Sequence, residues 1–301
     1  SDLSLLRRKR QSRRLELLPV AIEQVIGSRP DILDQLVQRH MAGDPATARQ
    51  VAACIEAIDH LDHRLALVLQ QHRGMGQAHV TAVARSPPPA LRGAGQFALL
   101  HDPEPDHPGN RLNDAATDTT GRLWFGSMDD GEALKTGRLY RCDAGTCRDT
   151  GLPPVAITNG PAISADTRTL YHTDTLGKTI WRVEIDAGGT LGTPERHVVI
   201  EDGAGFPDGS VIDADGCLWI ALYSGWGVRR YDPAGRLMHM VRFPVANVTK
   251  IAFGGEGLNT AYATTARKGL DAAALDAQPL AGHLFAFDPG VAGLPVVPAK
   301  I

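Results

Sequence analysis

The apolar positions of the chain follow two different rhythms, and the change falls near residue 96. Val51, Cys54, Ile55, Ile58, Leu61, Leu65, Val68 and Leu69 recur at spacings of three and four. That period lines them along one face of an α-helix, expected to start at an N-cap Asp44 before Pro45 and to end before Gly74. An earlier helix is expected from Pro30 to about His40, with Pro30 in its first turn. Residues 1–85 are therefore expected to be a small α-helical segment. Ser86-Pro87-Pro88-Pro89 and Gly93-Ala94-Gly95 make a breaker cluster, read as a linker over residues 86–96.

From Phe97 the pattern becomes short strands between tight turns, and it repeats. Asp118-Thr-Thr-Gly121-Arg122-Leu123-Trp124-Phe125-Gly126 is echoed by Asp166-Thr-Arg-Thr-Leu170-Tyr171-His172-Thr173-Asp174. It returns as Asp213-Ala-Asp215-Gly216-Cys217-Leu218-Trp219-Ile220-Ala221, and more faintly around Gly255 to Thr264. Measured on the aromatic, Trp124 to Tyr171 is 47 residues, Tyr171 to Trp219 is 48 and Trp219 to Tyr262 is 43. A second phrase follows each copy, around Tyr140, Trp181, Tyr231 and Phe285. Two unlike strands recurring in step, with a period of about 40 to 50, predict a β-propeller in which each blade buries its faces against its neighbours. Four blades are visible in residues 97–301. Trp124, Trp181 and Trp219 fall inside the repeat phrase and are expected to be blade-core aromatics.

Composition sharpens the division. All sixteen Phe, Trp and Tyr residues lie at or after Phe97, and so do 26 of the 32 glycines. Up to residue 96 there are 13 Lys/Arg against 9 Asp/Glu, a balance of +4; the remainder has 18 against 25, or −7. The net charge of −3 disfavours nucleic acid as a partner of the whole chain. The basic run from Arg7 to Arg14 reads as a solvated helix face. No apolar run approaches the roughly 20 residues that span a bilayer, so no membrane partner is expected. The apolar stretch from Leu17 to Ile26 is interrupted by Glu23 and Gln24 and does not read as a secretory signal, which leaves the cytoplasm as the default location. His40, His60, His63 and His72 lack metal-ligand spacing and read as surface histidines. Cys142 and Cys147 flank a hairpin turn and could cross-link, but free thiols in a reducing compartment are the favoured expectation.

Five phrases carry the candidate chemistry. They are Asn110-Arg111-Leu112-Asn113-Asp114, Asp118-x-x-Gly121-Arg122, Gly126-Ser127-Met128, Ile157-Thr158-Asn159-Gly160 and Phe206-Pro207-Asp208-Gly209-Ser210. Taken singly, Asp208-Gly209 or Asn159-Gly160 reads equally well as a turn, and Arg111 as a structural cation paired with Asp114 or Asp106. Their order and spacing together resemble the SMP-30/gluconolactonase (regucalcin-like) family, from about Gly95 to the C-terminus. The resemblance implies an all-β fold, a six-bladed propeller of which about four blades are present, preceded by the α-helical segment. It also implies one divalent cation, Ca²⁺, Zn²⁺, Mn²⁺ or Mg²⁺, in a central channel that hydrolyses sugar lactones. By the same resemblance Asn159 and Asp208 are metal ligands, Asp208 is also the catalytic acid/base, and Arg111 and Asn113 contact substrate. Oxygen donors of this kind suit hard cations, and Arg and Asn suit a polyol.

One departure qualifies this. The family's third ligand is a Glu in a phrase near the N-terminus that residues 1–96 do not show. Glu16, Glu23 and Glu56 all lie in expected helices and none is assigned to that role. The expected function is metal-dependent hydrolysis of a small-molecule sugar lactone to the aldonic acid, impaired by the missing Glu. The alternatives are a non-catalytic sugar-acid or metal-binding module, or an inactive gene fusion. Uncovered blade edges would open a route to self-association. Residues 30–73, through His40-Met41-Ala42-Gly43-Asp44, faintly resemble the helical ligand-binding domain of GntR-type regulators.

Overall fold

Short apolar-alternating segments joined by tight turns fold as antiparallel meanders, and here four of them pack side by side as blades of a β-propeller. The structure is a computed structural model; it describes residues 101–300 and, before them, the backbone of residues 16–21, 80–82 and 98–100. The first blade is β4 (Asn110–Thr117), β5 (Leu123–Asp129), β6 (Leu139–Asp143) and β7 (Thr146–Asp149). The second is β8 (Thr158–Ile163), β9 (Thr169–Asp174), β10 (Thr179–Glu184) and β11 (Glu195–Val199). The third is β12 (Phe206–Ile212), β13 (Leu218–Tyr223), β14 (Gly227–Tyr231) and β15 (Leu237–Arg242). In the fourth, β16 (Val248–Gly254), β17 (Thr260–Thr265) and β18 (His283–Phe287) are joined by β1 (Glu16–Ala21) on the outer edge. A short helix, α1 (Ala272–Ala277), lies between β17 and β18.

β1 runs antiparallel to β18, with Glu16 opposite Ala286 and Ala21 opposite His283. Glu16 was expected in a helix; its backbone is instead the fourth strand of a blade, because the open edge of β18 offers a ladder of unpaired groups that an extended segment satisfies. β2 (Val80–Ala82) pairs with β3 (Ala98–His101), so a second piece of the segment expected to be helical is also extended. The helices expected from Pro30 to His40 and from Asp44 to Gly74, and the linker over 86–96, lie outside the described residues.

The core lies between blades. On β5, Leu123 and Phe125 pack with Leu112 and Tyr140 on one face, while Trp124 joins Leu170 and Val183 of the second blade on the other. On β13, Leu218, Ile220 and Leu222 face Tyr171 and Ile180, and Trp219 and Ala221 face Val248, Ile251 and Phe285 of the fourth blade. Trp124 and Trp219 are fully buried, as their place in the repeat implies. Trp181 differs: it is half-buried, with the Arg196 guanidinium over its ring. Cys142 and Cys147, directly opposite in the β6–β7 register, form a disulfide, contrary to the expectation of free thiols.

In the first and third blades the recurring Asp is the hub of its turn, whereas Asp166 of the second blade is exposed and takes only the Ser164 hydroxyl and the Arg168 amide. Asp118 accepts the Thr120 and Arg122 amides on Oδ1, and the Trp124 indole N–H (3.0 Å) and Arg122 Nε (2.7 Å) on Oδ2. Asp213 repeats this with the amides of Asp215 and Cys217, the Trp219 indole (2.8 Å) and Arg230 Nε (2.8 Å). One carboxylate thus satisfies a turn, a core aromatic and a guanidinium at once.

The segment after β18 straps the face of the propeller that carries these turns. Gly293 N–H donates to Leu258 O, Ala214 N–H to Ala292 O, and Lys300 N–H to Gly121 O. The loops of the fourth, third and first blades are thereby joined in turn, and Ala299 packs on the outer face of the first blade.

Two stability measurements test this reading. Asp213→Ala strands the Trp219 indole and leaves the buried Arg230 guanidinium with Asp215 as its remaining carboxylate, and is expected to cost about 3 kcal/mol in chemical denaturation; a loss below about 1 kcal/mol would show that the hub is dispensable. His172 is buried with Nδ1 unpartnered, and burial lowers its pKa from 6.5 to about 4. The unfolded chain therefore takes up this proton at higher pH than the folded protein. Stability is expected to be unaffected above about pH 6.5 and to fall by about 3 kcal/mol as pH drops towards 4. His172→Gln should flatten that dependence, which would be misassigned if the variant kept the wild-type slope.

Candidate functional site

The innermost strands β4, β8, β12 and β16 start at one face of the propeller and line its channel. The first functional group comes from β4. Arg111 donates through Nη1 to Asn113 Oδ1 (3.0 Å) and Leu112 O (3.1 Å), and through Nε to Asp130 Oδ1 (3.1 Å). Its ion-pair partner is thus Asp130, at the end of β5, rather than Asp114 or Asp106. Asn113 gives both amide hydrogens to β8, one to Thr158 O (2.7 Å) and one to Asn159 Oδ1 (2.8 Å). What Asn113 offers a ligand is the remaining lone pair of Oδ1.

Asn159 is buried at the start of β8, and its Nδ2 donates to Thr175 Oγ1 (2.9 Å). Pinned from both ends, the amide keeps Oδ1 toward Asn113, with one lone pair free. The approach of β8 to the first blade depends on Gly126: a Cβ there would collide with the Thr158 side chain, whose hydroxyl donates to Ser127 O (2.7 Å).

Asp208 is half-buried on β12. Burial and the neighbouring Asp114 carboxylate raise its pKa to about 8, only partly offset by Lys250, a hydrogen bond from the Gly209 amide and Arg111. Gly209 is needed for close approach, because a Cβ would strike the Lys250 side chain and Thr249 O of β16. Lys250 Nζ reaches Asp114 Oδ2 at 2.6 Å and Ser210 O at 3.3 Å. This pair bridges the first blade and the fourth across the channel. A second bridge, Lys268 to Glu132, joins the same two blades at the mouth, where the Tyr223 hydroxyl donates to Lys268 O. Burial, then Glu132 and Asp208, push the Tyr223 phenol pKa up.

All four residues singled out from the sequence therefore lie on neighbouring inner strands. Arg111, Asn113 and Asn159 form one hydrogen-bonded chain that ends at Thr175, and Asp208 follows on the next strand with Asp114 felt from the first. Asn159 Oδ1 and the Asp208 carboxylate are the oxygen donors that can hold a hard cation. Among the described residues, no cluster of three His, Cys, Asp or Glu side chains is placed to hold a metal ion. Lys250, Asp114, Thr175 and Asp130 went unassigned in the sequence. The repeat held a signal for Lys250. Asn113 and Asp208 each precede their marker aromatic by 11 residues, and Asn159 and Lys250 precede theirs by 12.

Comparison with known proteins identifies the family. The profile of the SMP-30/Gluconolactonase/LRE-like region matches residues 31–267, beginning well ahead of Gly95, where the motif resemblance starts. The 6-deoxy-6-sulfogluconolactonase of Pseudomonas putida is 35% identical over 185 residues, which cover 61% of this chain and 64% of that protein. The L-arabinolactonase of Azospirillum brasilense is 36% identical over 204 residues, 67% of each protein. The chain thus spans about two thirds of the length of these relatives. Among solved structures, a calcium-binding protein, regucalcin, from Agrobacterium tumefaciens superposes with a TM-score of 0.64 at 31% identity, over 69% of this chain and 70% of that one. The propeller, the ordered motifs on its inner strands and the profile match agree: the chain belongs to the SMP-30/gluconolactonase/LRE-like family.

Proposed function

We propose that the channel hydrolyses the ring ester of a sugar lactone to the open-chain hydroxy acid. The observation that carries this is the setting of Asp208. Burial and Asp114 give its carboxylate a proton affinity near neutrality, and the hydrogen-bonding groups of Asn113, Asn159 and Arg111 surround the same channel. A group with a pKa near the working pH serves both as base and as acid. The lactonase names of the two relatives described above supply the substrate class.

The donor set fits a divalent cation chemically. Asp208 forms no ion pair with any described cation, and Asn159 Oδ1, on the adjoining inner strand, keeps a free lone pair. Asn159 and Asp208 would hold the cation, which when bound supplies a Lewis acid for the lactone carbonyl. With two protein oxygens among the described residues, its binding is expected to be weak.

The chain's own residues account for the proton movements. Asp208 takes a proton from the water that adds to the lactone carbonyl carbon. As the bond between that carbon and the ring oxygen breaks, Asp208 returns the proton to the ring oxygen, leaving a hydroxyl and a carboxylic acid. Arg111, with its Nη2 hydrogens uncommitted to described partners, and the free lone pair of Asn113 Oδ1 bind sugar hydroxyls.

Two experiments bear on this. With added Ca²⁺, Mn²⁺ or Zn²⁺, the protein should open glucono-1,5-lactone measurably above background, and Asp208→Ala should lose at least about a hundredfold of that rate; equal rates for the two proteins would end the enzymatic reading. Thr175→Val frees the Asn159 amide to rotate and is expected to weaken Mn²⁺ binding by about tenfold in calorimetry, the usual size for losing the group that orients a ligand. Unchanged affinity would remove Asn159 from the cation site.

A further inference from the structure

Lys250 occupies, in the fourth blade, the channel position that Asn113, Asn159 and Asp208 occupy in the first three. Each of the four lies 11 or 12 residues ahead of its blade's marker aromatic. The Lys250 stem crosses directly over Gly209, the residue after Asp208. Its ammonium is anchored on two sides, by Asp114 Oδ2 at 2.6 Å and Ser210 O at 3.3 Å. An ammonium has three hydrogens, and these two acceptors leave the third uncommitted. The side chain is still 31% exposed, whereas its Asp114 partner is 17% exposed. A cation fixed by two acceptors and open on its third side is a preorganised donor, which is the arrangement that stabilises charge developing on a reacting oxygen.

We infer that Lys250 is a further catalytic residue of this site, whose free N–H donates to the lactone carbonyl oxygen as that oxygen gains negative charge. The inference rests on the lactone reading of Asp208 given above. The step balances. Water adds to the carbonyl carbon, its proton passes to Asp208, and the carbonyl π electrons move onto the oxygen facing Lys250. Collapse returns them, the ring C–O bond breaks, and Asp208 delivers its proton to the ring oxygen. Lys250 keeps its own proton throughout, acting as a hydrogen-bond donor. Because the bond strengthens only as charge develops, its loss should appear in kcat rather than in KM.

A purely structural role for the pair, as a brace between the first and fourth blades, makes a different forecast, in which removing either partner has the same effect. The test therefore compares wild type, Lys250→Met, Lys250→Arg, Asp114→Asn and Asp208→Ala on glucono-1,5-lactone in one metal-supplemented buffer, with thermal melting of each. The expected result is a kcat about a hundredfold lower for Lys250→Met with KM within about threefold of wild type, the size found on losing one such donor. Lys250→Arg should retain at least tenfold more activity than Lys250→Met, and Asp114→Asn should lose no more than about tenfold, since Ser210 O still holds the ammonium. The inference is overturned if Lys250→Met keeps kcat within threefold of wild type, if the loss lies wholly in KM, or if Asp114→Asn falls as far as Lys250→Met. Should Lys250→Met fail to fold, the Asp114→Asn/Lys250→Met double variant removes the unpaired carboxylate, and its kcat is judged by the same limits. If wild type is no faster than Asp208→Ala, the lactone reading itself falls and takes this one with it; a fast wild type beside a fast Lys250→Met sinks only the role of Lys250.

Discussion

A blade buries its apolar faces only against another blade, and that requirement governs the molecule. Trp124 fills the layer between the first and second blades and Trp219 the layer between the third and fourth, and the layers hold the inner strands at fixed separations. The blades at either end of the row need other cover. For the fourth blade the open edge of β18 is met by β1, and for the first the C-terminal strap lays Ala299 against its outer face. The Asp114–Lys250 and Glu132–Lys268 pairs then join those two end blades across the channel. The Asp114 side chain is 17% exposed and the Lys250 side chain 31%, so water and salt screen this pair less than a fully exposed one.

Precision at the site follows from the same layers. The polar residues sit on inner strands whose backs are packed, and two glycines set the distances between strands. Gly126 lets β8 close on the first blade, and Gly209 lets β16 cross next to Asp208. Neither position tolerates a side chain without moving a strand that carries a polar group of the channel. The chain of hydrogen bonds from Asp130 through Arg111, Asn113 and Asn159 to Thr175 then removes the remaining freedom of the side chains. Such a chain is worth more together than link by link, because each bond orients the next.

Much of this was legible in the sequence, and the reasons differ by element. The blades could be read because the Asp hub, the Gly turn and the marker aromatic serve one physical unit in the first and third blades, and the aromatic alone keeps the period in the other two. That Arg111, Asn113, Asn159 and Asp208 lie on the inner strands could be read because they stand within short phrases at fixed places in that unit. Glu16 was misplaced because a lone apolar stretch has no repeat to declare its period, and its pairing with β18 spans nearly the whole chain. The partner of Arg111 was misjudged for a related reason. Asp114 and Asp106 are near in sequence, but the antiparallel register puts the end of β5, and so Asp130, beside the start of β4. Lys250 was passed over because lysine on a strand ordinarily reads as solvent-facing, although its count to Tyr262 equals that of Asn159 and is within one of the other two.

The charges of the channel explain why the proposed chemistry centres on one residue. Arg111 is matched by Asp130 and Lys250 by Asp114, so both cations are already balanced by carboxylates in contact with them. Asp208 has no described partner of its own. It receives the Gly209 amide and a distant share of Lys250 and Arg111, against burial and the field of Asp114. A carboxylate so placed has two ways to reach a low-energy state, to hold a proton or to hold a metal cation. The first makes it an acid and base near neutral pH; the second recruits a Lewis acid to the same spot. Either way the proposed reactive group is the one that the fold leaves uncompensated, and the balanced pairs around it do not compete for its proton.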